Sequence, residues 1–142
     1  MVRVLGRVTS INFRKVLWTL DELGEEYERE DWGMPLRDPN VPEFLALNPN
    51  ATVPVFIEAD GSSLWESTAI MLYLARTRGG LLGETPHEAG LALQWLCWQA
   101  SELGPAWSYA VQALLRRTPG FDDPARIAES IQRWTGQMDI LE

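Results

Sequence analysis

The stretch N-P-N-A-T-V-P-V-F-I, residues 48–57, decides the fold, because a proline stands directly before a short apolar run. Proline donates no backbone N–H, so within a sheet it is tolerated at the first residue of a strand. The run V-F-I is therefore predicted to be a strand that Pro54 opens. The residues D-G-S-S, 60–63, follow and predict a hairpin turn into a second, antiparallel strand.

On the N-terminal side of this hairpin, the sequence predicts a strand, a helix and another strand. Residues 2–7 form a short apolar run, and the charged residues 26–30 are interpreted as a strand from their context. Between them, residues 12–23 carry apolar side chains at the spacing of one helix face, namely Phe13, Val16, Leu17 and Leu20. Gly24 is expected to end this helix.

On the C-terminal side of the hairpin, a helix is predicted to begin at Ser67 and to end at R-G-G-L. Its inner face is expected to comprise Ile70, Tyr73, Leu74 and Thr77. Three prolines in residues 32–42 predict a loop, with a short helical turn at E-F-L-A-L. Residues 1–80 are thus predicted to form an α/β unit, βαβ followed by ββα on one small sheet, with the βαβ half parallel and right-handed.

Beyond a linker at residues 80–86, the sequence predicts helices only. T-P-H-E, residues 85–88, is a capping box with proline at the first helical position, and Gly104-Pro105 is expected to kink the segment that follows. Asp123 is predicted to cap the next helix, whose apolar stripe comprises Ile127, Ile131, Trp134, Met138 and Leu141. Because two such helices cannot bury their apolar faces alone, residues 86–142 are interpreted as the first two helices of an all-α C-terminal domain that is truncated or borrows a partner.

The composition excludes several classes of protein. Twelve basic and 20 acidic residues give a net charge of −8, which a nucleic acid backbone would repel. Cys97 is the one cysteine and His87 the one histidine, so neither an internal disulfide nor a zinc site of several His and Cys residues is expected, and no metal is predicted. No segment approaches the roughly 18 apolar residues of a membrane span, and no secretory signal is visible. A cytoplasmic location without a membrane partner is expected.

The stretch V-T-S-I-N-F-R-K, residues 8–15, contains two hydroxyls and an amide where the first strand is followed by the first helix. Ser10 or Asn12 can cap that helix, since short polar side chains accept hydrogen bonds from first-turn N–H groups. Alternatively, a hydroxyl at a helix N-terminus can stabilise an anion such as a thiolate. The residues of this stretch leave both interpretations open.

The order βαβ-ββα followed by helices resembles the cytosolic glutathione transferases, whose first domain is thioredoxin-like. S-I-N-F-R-K-V looks like the active-site turn of the serine-type and nu-type classes of that family. N-P-N-A-T-V-P-V-F resembles the family's N-P-x-G-K-V-P-x-L stretch, and L-W-E-S-T-A-I-M-L-Y-L resembles its x-x-E-S-x-A-I-x-x-Y-L stretch. The last two stretches at their mutual spacing are the specific part of the resemblance.

The resemblance implies that Ser10 donates a hydrogen bond to the sulfur of glutathione and keeps it as a thiolate, the reactive form of a thiol. Asn12 would add an amide donor or fix the turn, and Thr9 is the competing hydroxyl. Glutathione would be a co-substrate, with no further organic cofactor.

The resemblance also implies how the rest of glutathione is held. The Val53-Pro54 bond would be cis and would turn the Val53 backbone toward the peptide ligand, which then pairs with it as a short added strand. Ser67 would hold the γ-glutamyl carboxylate at a helix N-terminus, and Glu66 would meet the ammonium of the same residue. In the helical part, the residues implied to line an electrophile pocket are Trp107 and Tyr109.

One departure from the family pattern concerns the glycyl end of glutathione. The family often has Gly-Lys before Val-Pro, and the lysine frequently helps to hold the glycyl carboxylate, whereas this sequence has Ala51-Thr52. The candidate replacements are Arg14, Arg37 and Trp32, each of which also suits a solvated or packing role.

The expected function is conjugation of glutathione to a small apolar electrophile by a homodimeric enzyme. The alternatives are a binding or regulatory protein on the same fold and a glutathione-dependent disulfide reductase or peroxidase. Cys97, between two aromatic residues, is predicted to be buried and inert, and His87 is predicted to be exposed and inert.

Overall fold

The structure is a computed structural model that describes residues 1–142, and the predicted strands form one mixed sheet in it. The strands are β1 Val2–Gly6, β2 Tyr27–Asp31, β3 Val55–Ile57 and β4 Ser63–Trp65. Their order across the sheet is β2-β1-β3-β4. β1 is parallel to β2, and β3 is antiparallel to both β1 and β4.

The chain divides into two units, Met1–Glu84 and Thr85–Glu142. The helices of the first unit are α1 Ile11–Leu23, α2 Pro42–Leu45 and α3 Ser67–Arg78. The order βαβ followed by ββα is confirmed, and this unit is thioredoxin-like. The element boundaries differ from the predicted ones by one or two residues, as expected where helix and strand ends fray.

Successive residues of a strand point to opposite faces of the sheet, and a buried cluster covers each face here. Val4 belongs to a buried cluster that α1 and α3 complete, with Phe13, Val16, Leu20, Phe56, Ile70 and Leu74 among its members. Leu5 belongs to the cluster on the other face, which comprises Trp32, Phe44, Val55 and Ile57 in addition. The two clusters hold the sheet fixed beneath the loops at its edge.

Gly6 allows α1 to lie close to the end of β1. A Cβ atom added at Gly6 would lie 2.2 Å from a ring carbon of Phe13, far inside van der Waals contact. Phe13 itself is fully buried. The last residue of β1 therefore has to be glycine for the first turn of α1 to pack where it does.

The predicted inner face of α3 is wrong in part. Ile70 and Leu74 are buried as predicted, and the half-buried Tyr73 packs against the same cluster, but Thr77 is exposed. Small residues at Ser67 and Ala75 are buried instead. The inner face therefore differs from the predicted one at Thr77, and small side chains occupy part of it.

The second unit contains helices only. They are α4 Pro86–Trp98, α5 Gly104–Ala110 and α6 Pro124–Met138, with π-helical turns at Gln99–Leu103 and Val111–Leu115. The capping box at Thr85 and Glu88 is present, and Asp123 caps α6 by accepting hydrogen bonds from the N–H groups of Ala125 and Arg126. Before Gly104-Pro105, where a kink is predicted, the backbone widens into the first π-helical turn.

One buried hydroxyl joins α5 to α6. Ser130 donates a hydrogen bond to the carbonyl of Ala106 at 2.7 Å and accepts one from the N–H of Ala110 at 3.1 Å. The apolar stripe of α6 is largely exposed, since Ile131, Trp134 and Met138 are each at least 37% accessible. No helix in the chain is both long enough and apolar enough to span a membrane.

The prediction that Cys97 is buried is wrong, because its side chain is exposed. The reason lies in α4, which has no fully buried residue although much of its sequence is apolar. Trp98, the residue after Cys97, is half-buried and makes an edge-to-face contact with Trp95, with 5.3 Å between ring centroids. That aromatic contact does not enclose the thiol. His87 is exposed, as predicted.

Candidate functional site

Four strand ends meet at one edge of the sheet, and the candidate site residues of the first unit follow them. β1 and β2 are parallel, so both end at this edge. β3 runs in the opposite direction and begins there, and β4 ends there again, with Leu5, Val55 and Trp65 in register. The loops at residues 7–10, 53–54 and 66–67 therefore lie side by side along the edge.

Ser10 is the N-cap of α1, and its hydroxyl is only partly engaged. Its Oγ accepts a hydrogen bond from the N–H of Phe13 at 3.4 Å, a long contact. A hydroxyl that accepts through one lone pair still has its own hydrogen to donate. Ser10 can therefore cap the helix and donate to an anion at once, and the two interpretations left open by the sequence are compatible. Thr9 is exposed.

Asn12 lies in the first turn of α1 and is exposed. The first-turn N–H groups of a helix have no partner within the helix, and they carry partial positive charge. Asn12 and Ser10 thus border a helix N-terminus that opens onto the same edge of the sheet.

The Val53-Pro54 bond is cis, as the resemblance implies, and a second cis bond joins Met34 to Pro35. Pro54 is buried and Val53 is half-buried. Neither the N–H nor the C=O of Val53 takes part in the backbone hydrogen bonds of the loops or of the β1–β3 ladder. Both groups are therefore available to an extended peptide.

Asn48 fixes the loop before the cis-proline, a role that the sequence analysis missed. Its amide donates to the carbonyl of Thr52 at 2.8 Å, and its Oδ1 accepts from the N–H of Asn50 at 3.0 Å. The side chain is 1% exposed. The signal in the sequence was an asparagine before a proline, which is typical of turns.

Glu66 and Ser67 lie where β4 meets α3. Ser67 is the first residue of α3 and is buried, whereas Glu66 is exposed and adopts φ +70°. A positive φ is costly for a residue with a side chain and often marks a functional position. Lys15 on α1 lies close enough to Glu66 for the two charges to interact. Burial lowers the pKa of Lys15, and the Glu66 carboxylate partly offsets this decrease in the pKa.

The predicted replacements for the missing lysine are engaged elsewhere or turned to solvent. The Arg37 guanidinium lies 3.6 Å from the centre of the Trp32 ring and pairs with Glu43. Trp32 is buried and packs against Phe44, with 4.8 Å between ring centroids. Arg14 is exposed on α1.

Trp107 and Tyr109 lie on α5 of the second unit, and both are half-buried. The Tyr109 ring contacts Phe121 with 5.0 Å between centroids, and the Arg126 guanidinium lies 4.2 Å from its centre. Tyr109 also lines a cavity of about 170 Å³ whose wall includes charged residues, among them Glu129 and Arg133. Among the 142 residues, no group of three His, Cys, Asp or Glu side chains is arranged to hold a metal ion.

Comparisons with known proteins consistently indicate one family. The family model described as "Glutathione S-transferase, N-terminal domain" matches residues 9–77. Glutathione S-transferase GstB of Escherichia coli K12 is 33% identical over 145 aligned residues, which cover 100% of this chain and 70% of GstB. Disulfide-bond oxidoreductase YfcG of the same organism is 46% identical over 70 residues, 45% of this chain and 33% of YfcG.

Comparison with solved structures indicates the same family. The theta class glutathione S-transferase of Xanthomonas axonopodis pv. citri, solved with glutathione bound, superposes with a TM-score of 0.88 at 32% identity. The superposition covers 96% of this chain and 66% of that chain. The chain therefore spans roughly two thirds of the length of GstB and of the Xanthomonas enzyme.

Proposed function

This chain belongs to the glutathione S-transferase family, and on that premise we propose that it binds glutathione at the sheet edge and conjugates it to a small apolar electrophile. Glutathione is the co-substrate, and the proposal includes no metal. A cytoplasmic location and a homodimeric assembly are part of the proposal, and both rest on the family resemblance.

The observation that carries the proposal is the state of the Ser10 hydroxyl. An ordinary thiol has a pKa of about 8.5, so only a few per cent is thiolate at pH 7. The Ser10 O–H remains free to donate while its oxygen caps α1. A donated hydrogen bond and the positive end of a helix both favour the charged form of the sulfur. Ser10 thus raises the fraction of glutathione that can react, and Asn12 assists at the same helix end.

The neighbouring loops hold the peptide. The free backbone groups of Val53, next to Pro54, pair with the cysteinyl residue of glutathione. Ser67 binds the γ-glutamyl carboxylate at the start of α3, and Glu66 binds the ammonium. The assignment of Trp107 and Tyr109 to the electrophile side is made on the resemblance alone.

The proposed reaction is a displacement at carbon. The thiol proton is released to solvent, and the thiolate sulfur forms a bond to the electrophilic carbon with its electron pair. The leaving group departs as an anion with the electrons of its bond to that carbon. The protein contributes the anion-stabilising donor and the alignment of sulfur with electrophile.

A pair of Ser10 variants tests the proposal. Ser10→Gly removes the hydroxyl but costs only a few tenths of a kcal/mol as a cap, about what separates Ser from Gly at an N-cap. A hydrogen bond to a charged group contributes about 1.5–3 kcal/mol, so kcat/KM with a chloronitrobenzene should fall roughly 10- to 100-fold. The pH–rate profile should also move to higher pH, because removing a donor raises the pKa of the bound thiol.

Thr9→Ala is the matched control for Ser10→Gly, since Thr9 is the adjacent, exposed hydroxyl. It should leave both the rate and the pH profile unchanged. Unchanged conjugation in Ser10→Gly, or an equal loss in Thr9→Ala, would refute the role of Ser10. Failure of the wild-type chain to bind millimolar glutathione by calorimetry would refute the function itself.

Glutathione-dependent disulfide reduction is the second candidate, and the 46% identity to YfcG over 70 residues favours it. Two glutathione thiols would supply both electrons, giving glutathione disulfide and two thiols from the substrate. Cys97 lies in the second unit and is the single cysteine of the chain, so no internal protein disulfide takes part. Turnover of hydroxyethyl disulfide but not of a chloronitrobenzene would favour this candidate over conjugation.

A further inference from the structure

Arg7 follows β1 at the site edge and has an unused donor. Its Nη1 donates to the carbonyl of Met34, but its buried Nε has no hydrogen-bond partner. None of the ion pairs within the chain involves Arg7. Buried donors in native proteins are nearly always paired, so an unpaired buried donor requires an explanation, for example a ligand that binds there. The residue as a whole is half-buried, and the hydrogen bond from its Nη1 to Met34 lies at the surface.

Arg7 is next to both groups proposed to hold the cysteinyl residue. The Ser10 N–H donates to the Arg7 carbonyl at 2.9 Å, so one tight turn contains both residues. The position that a Cβ of Gly33 would occupy is 3.5 Å from Cδ of Arg7 and 3.6 Å from the methyl groups of Val53. The Arg7 side chain and Val53 therefore both lie beside the same face of Gly33.

The strand order gives the direction in which a bound tripeptide runs. Ser67 follows β4, Val53 precedes β3, and Arg7 follows β1, which are three neighbouring strands. Neighbouring strands are about 4.8 Å apart, so the line from β4 to β1 spans about 10 Å. Three extended residues span about the same distance. A peptide with its γ-glutamyl end at Ser67 and its cysteinyl residue at Val53 thus carries its last residue to the end of β1.

The other cations near the edge do not suit that end of the peptide. Lys15 lies by Glu66, at the γ-glutamyl end. Arg37 is paired with Glu43 and stacked on Trp32. In a chain whose net charge is −8, an anionic group at the β1 end needs a local cation, and Arg7 is positioned to supply it.

We propose that Arg7 binds the glycyl carboxylate of glutathione and so replaces the lysine that is missing before Val53-Pro54. The assignment rests on the proposed function and deepens it, because it names the residue that reads the C-terminal end of the peptide. Guanidinium and carboxylate form charge-assisted, often bidentate, hydrogen bonds, which are stronger than neutral ones. Arg7 is then a specificity determinant for glutathione over peptides with a blocked C-terminus.

Two ligands that differ only at the glycyl end test this proposal. Glutathione and its glycyl monoethyl ester are titrated by calorimetry into the wild-type chain and into Arg7→Gln. The wild type should bind glutathione on the order of tenfold more tightly than the ester, since the ester has lost the charge. Arg7→Gln should bind glutathione about as weakly as the wild type binds the ester, and should no longer distinguish the two ligands.

Two control variants sharpen the test. Arg14→Gln removes an exposed cation of α1 and should keep the full preference for glutathione over the ester. Arg7→Lys keeps the charge but not the planar fork of donors, so it should restore part of the preference. The thermal midpoint of each variant, measured without ligand, shows whether a loss of binding reflects a loss of folding.

The outcomes separate this assignment from the proposed function. Equal binding of the two ligands by the wild type, or an unchanged preference in Arg7→Gln, would overturn the role of Arg7 while leaving glutathione binding intact. Absence of binding of both ligands by the folded wild type would overturn the proposed function, and the assignment of Arg7 with it.

Discussion

Glu66 adopts φ +70° although it has a side chain, and it caps α3 without a side-chain hydrogen bond. The strain at Glu66 is therefore not offset by a side-chain cap. In the proposed site, the same conformation presents the Glu66 carboxylate next to the buried Ser67. Strain of this kind costs about 1–3 kcal/mol and is found mainly where function requires the geometry.

Glu66→Gly should therefore make the fold more stable and the binding weaker. Glycine adopts positive φ without steric cost, so the free energy of unfolding should rise by about 1 kcal/mol, measured by urea denaturation. Glutathione affinity, measured by calorimetry, should fall because the ammonium partner is lost. Glu66→Ala is the control: it removes the carboxylate but keeps the strain, so it should lose affinity without gaining stability. A stability gain in both variants would contradict the explanation by strain.

Gly6 offers a second residue-level prediction. In Gly6→Ala, the new methyl group would be 2.2 Å from a carbon of the Phe13 ring, which is fully buried. Such overpacking costs about 1–3 kcal/mol, and α1 with Ser10 should be displaced, so both the unfolding free energy and glutathione affinity should fall.

Gly90→Ala is the counterpart of Gly6→Ala, because nothing lies within 4 Å of the added Cβ in α4. That change should stabilise the chain by about 0.5–1 kcal/mol, the usual difference between Gly and Ala inside a helix. Equal effects of the two substitutions in urea denaturation would contradict the close approach of α1 to β1.

At the scale of elements, the C-terminal end of α3 is tied to the rest of the first unit by Arg78. Its guanidinium pairs with Glu58 after β3, with contacts of 2.8 and 2.9 Å, and with Glu25 after α1 at 3.2 Å. Tyr73, one turn earlier on α3, donates to Glu58 at 2.9 Å. The hydrogen bond from Arg78 is the main reason why the pKa of Glu58 is lowered from its ordinary value, and the bond from Tyr73 adds to it.

Arg78→Gln should reduce stability on the order of 1 kcal/mol near pH 7. The lowered pKa of Glu58 means that its contribution is complete above the unfolded pKa of about 4.3 and is lost as the pH falls through the lower, folded value. The wild type should therefore lose its advantage over Arg78→Gln as the pH falls below about 4. Thermal midpoints from pH 3 to 7 test this, and a constant difference across that range would contradict the role of Glu58 ionisation.

Elements set by local signals were predictable from the sequence, and elements set by distant contacts were not. The caps of α4 and α6 and the D-G-S-S turn depend on residues within four positions of one another, so the prediction succeeded. The inner face of α3 depends on which small residues are buried, as Ser67 and Ala75 are, and periodicity of large apolar residues does not reveal that. The π-helical turn before Pro105 has no distinctive local signal.

The same reasoning explains what could be predicted at the site. Ser10, Val53 and Ser67 stand in recognisable stretches, and the topology brings their loops to one edge. Arg7 does not stand in a recognisable stretch. Its proposed role depends on its position beside Gly33, Met34 and Val53, which are 26 or more positions away in the sequence. Arg37 was a reasonable candidate from its charge, and its stacking on Trp32 and its pairing with Glu43 exclude it.

At the scale of the whole molecule, the two units differ in how they bury apolar side chains. The first unit has two buried clusters around its sheet, whereas the buried residues of the second are Ala106, Ala110 and Ser130. The expectation that Cys97 is buried failed for that reason, since apolar composition alone does not ensure an enclosed core. Large apolar residues such as Ile70 and Leu74 were correctly predicted to be buried against the sheet, whereas Cys97 in the helical unit is exposed.

The two ends of the sheet in the first unit differ in what they contain. One end holds the loops assigned to ligand binding, while the other holds the ion pairs around Arg78 and the turn at residues 58–62. A substitution in the binding loops that lowers the free energy of unfolding can be offset by a stabilising substitution at the far end, which leaves those loops untouched. Ligand recognition and part of the stability of the first unit are therefore encoded in different residues, so a change of ligand specificity need not destabilise the fold.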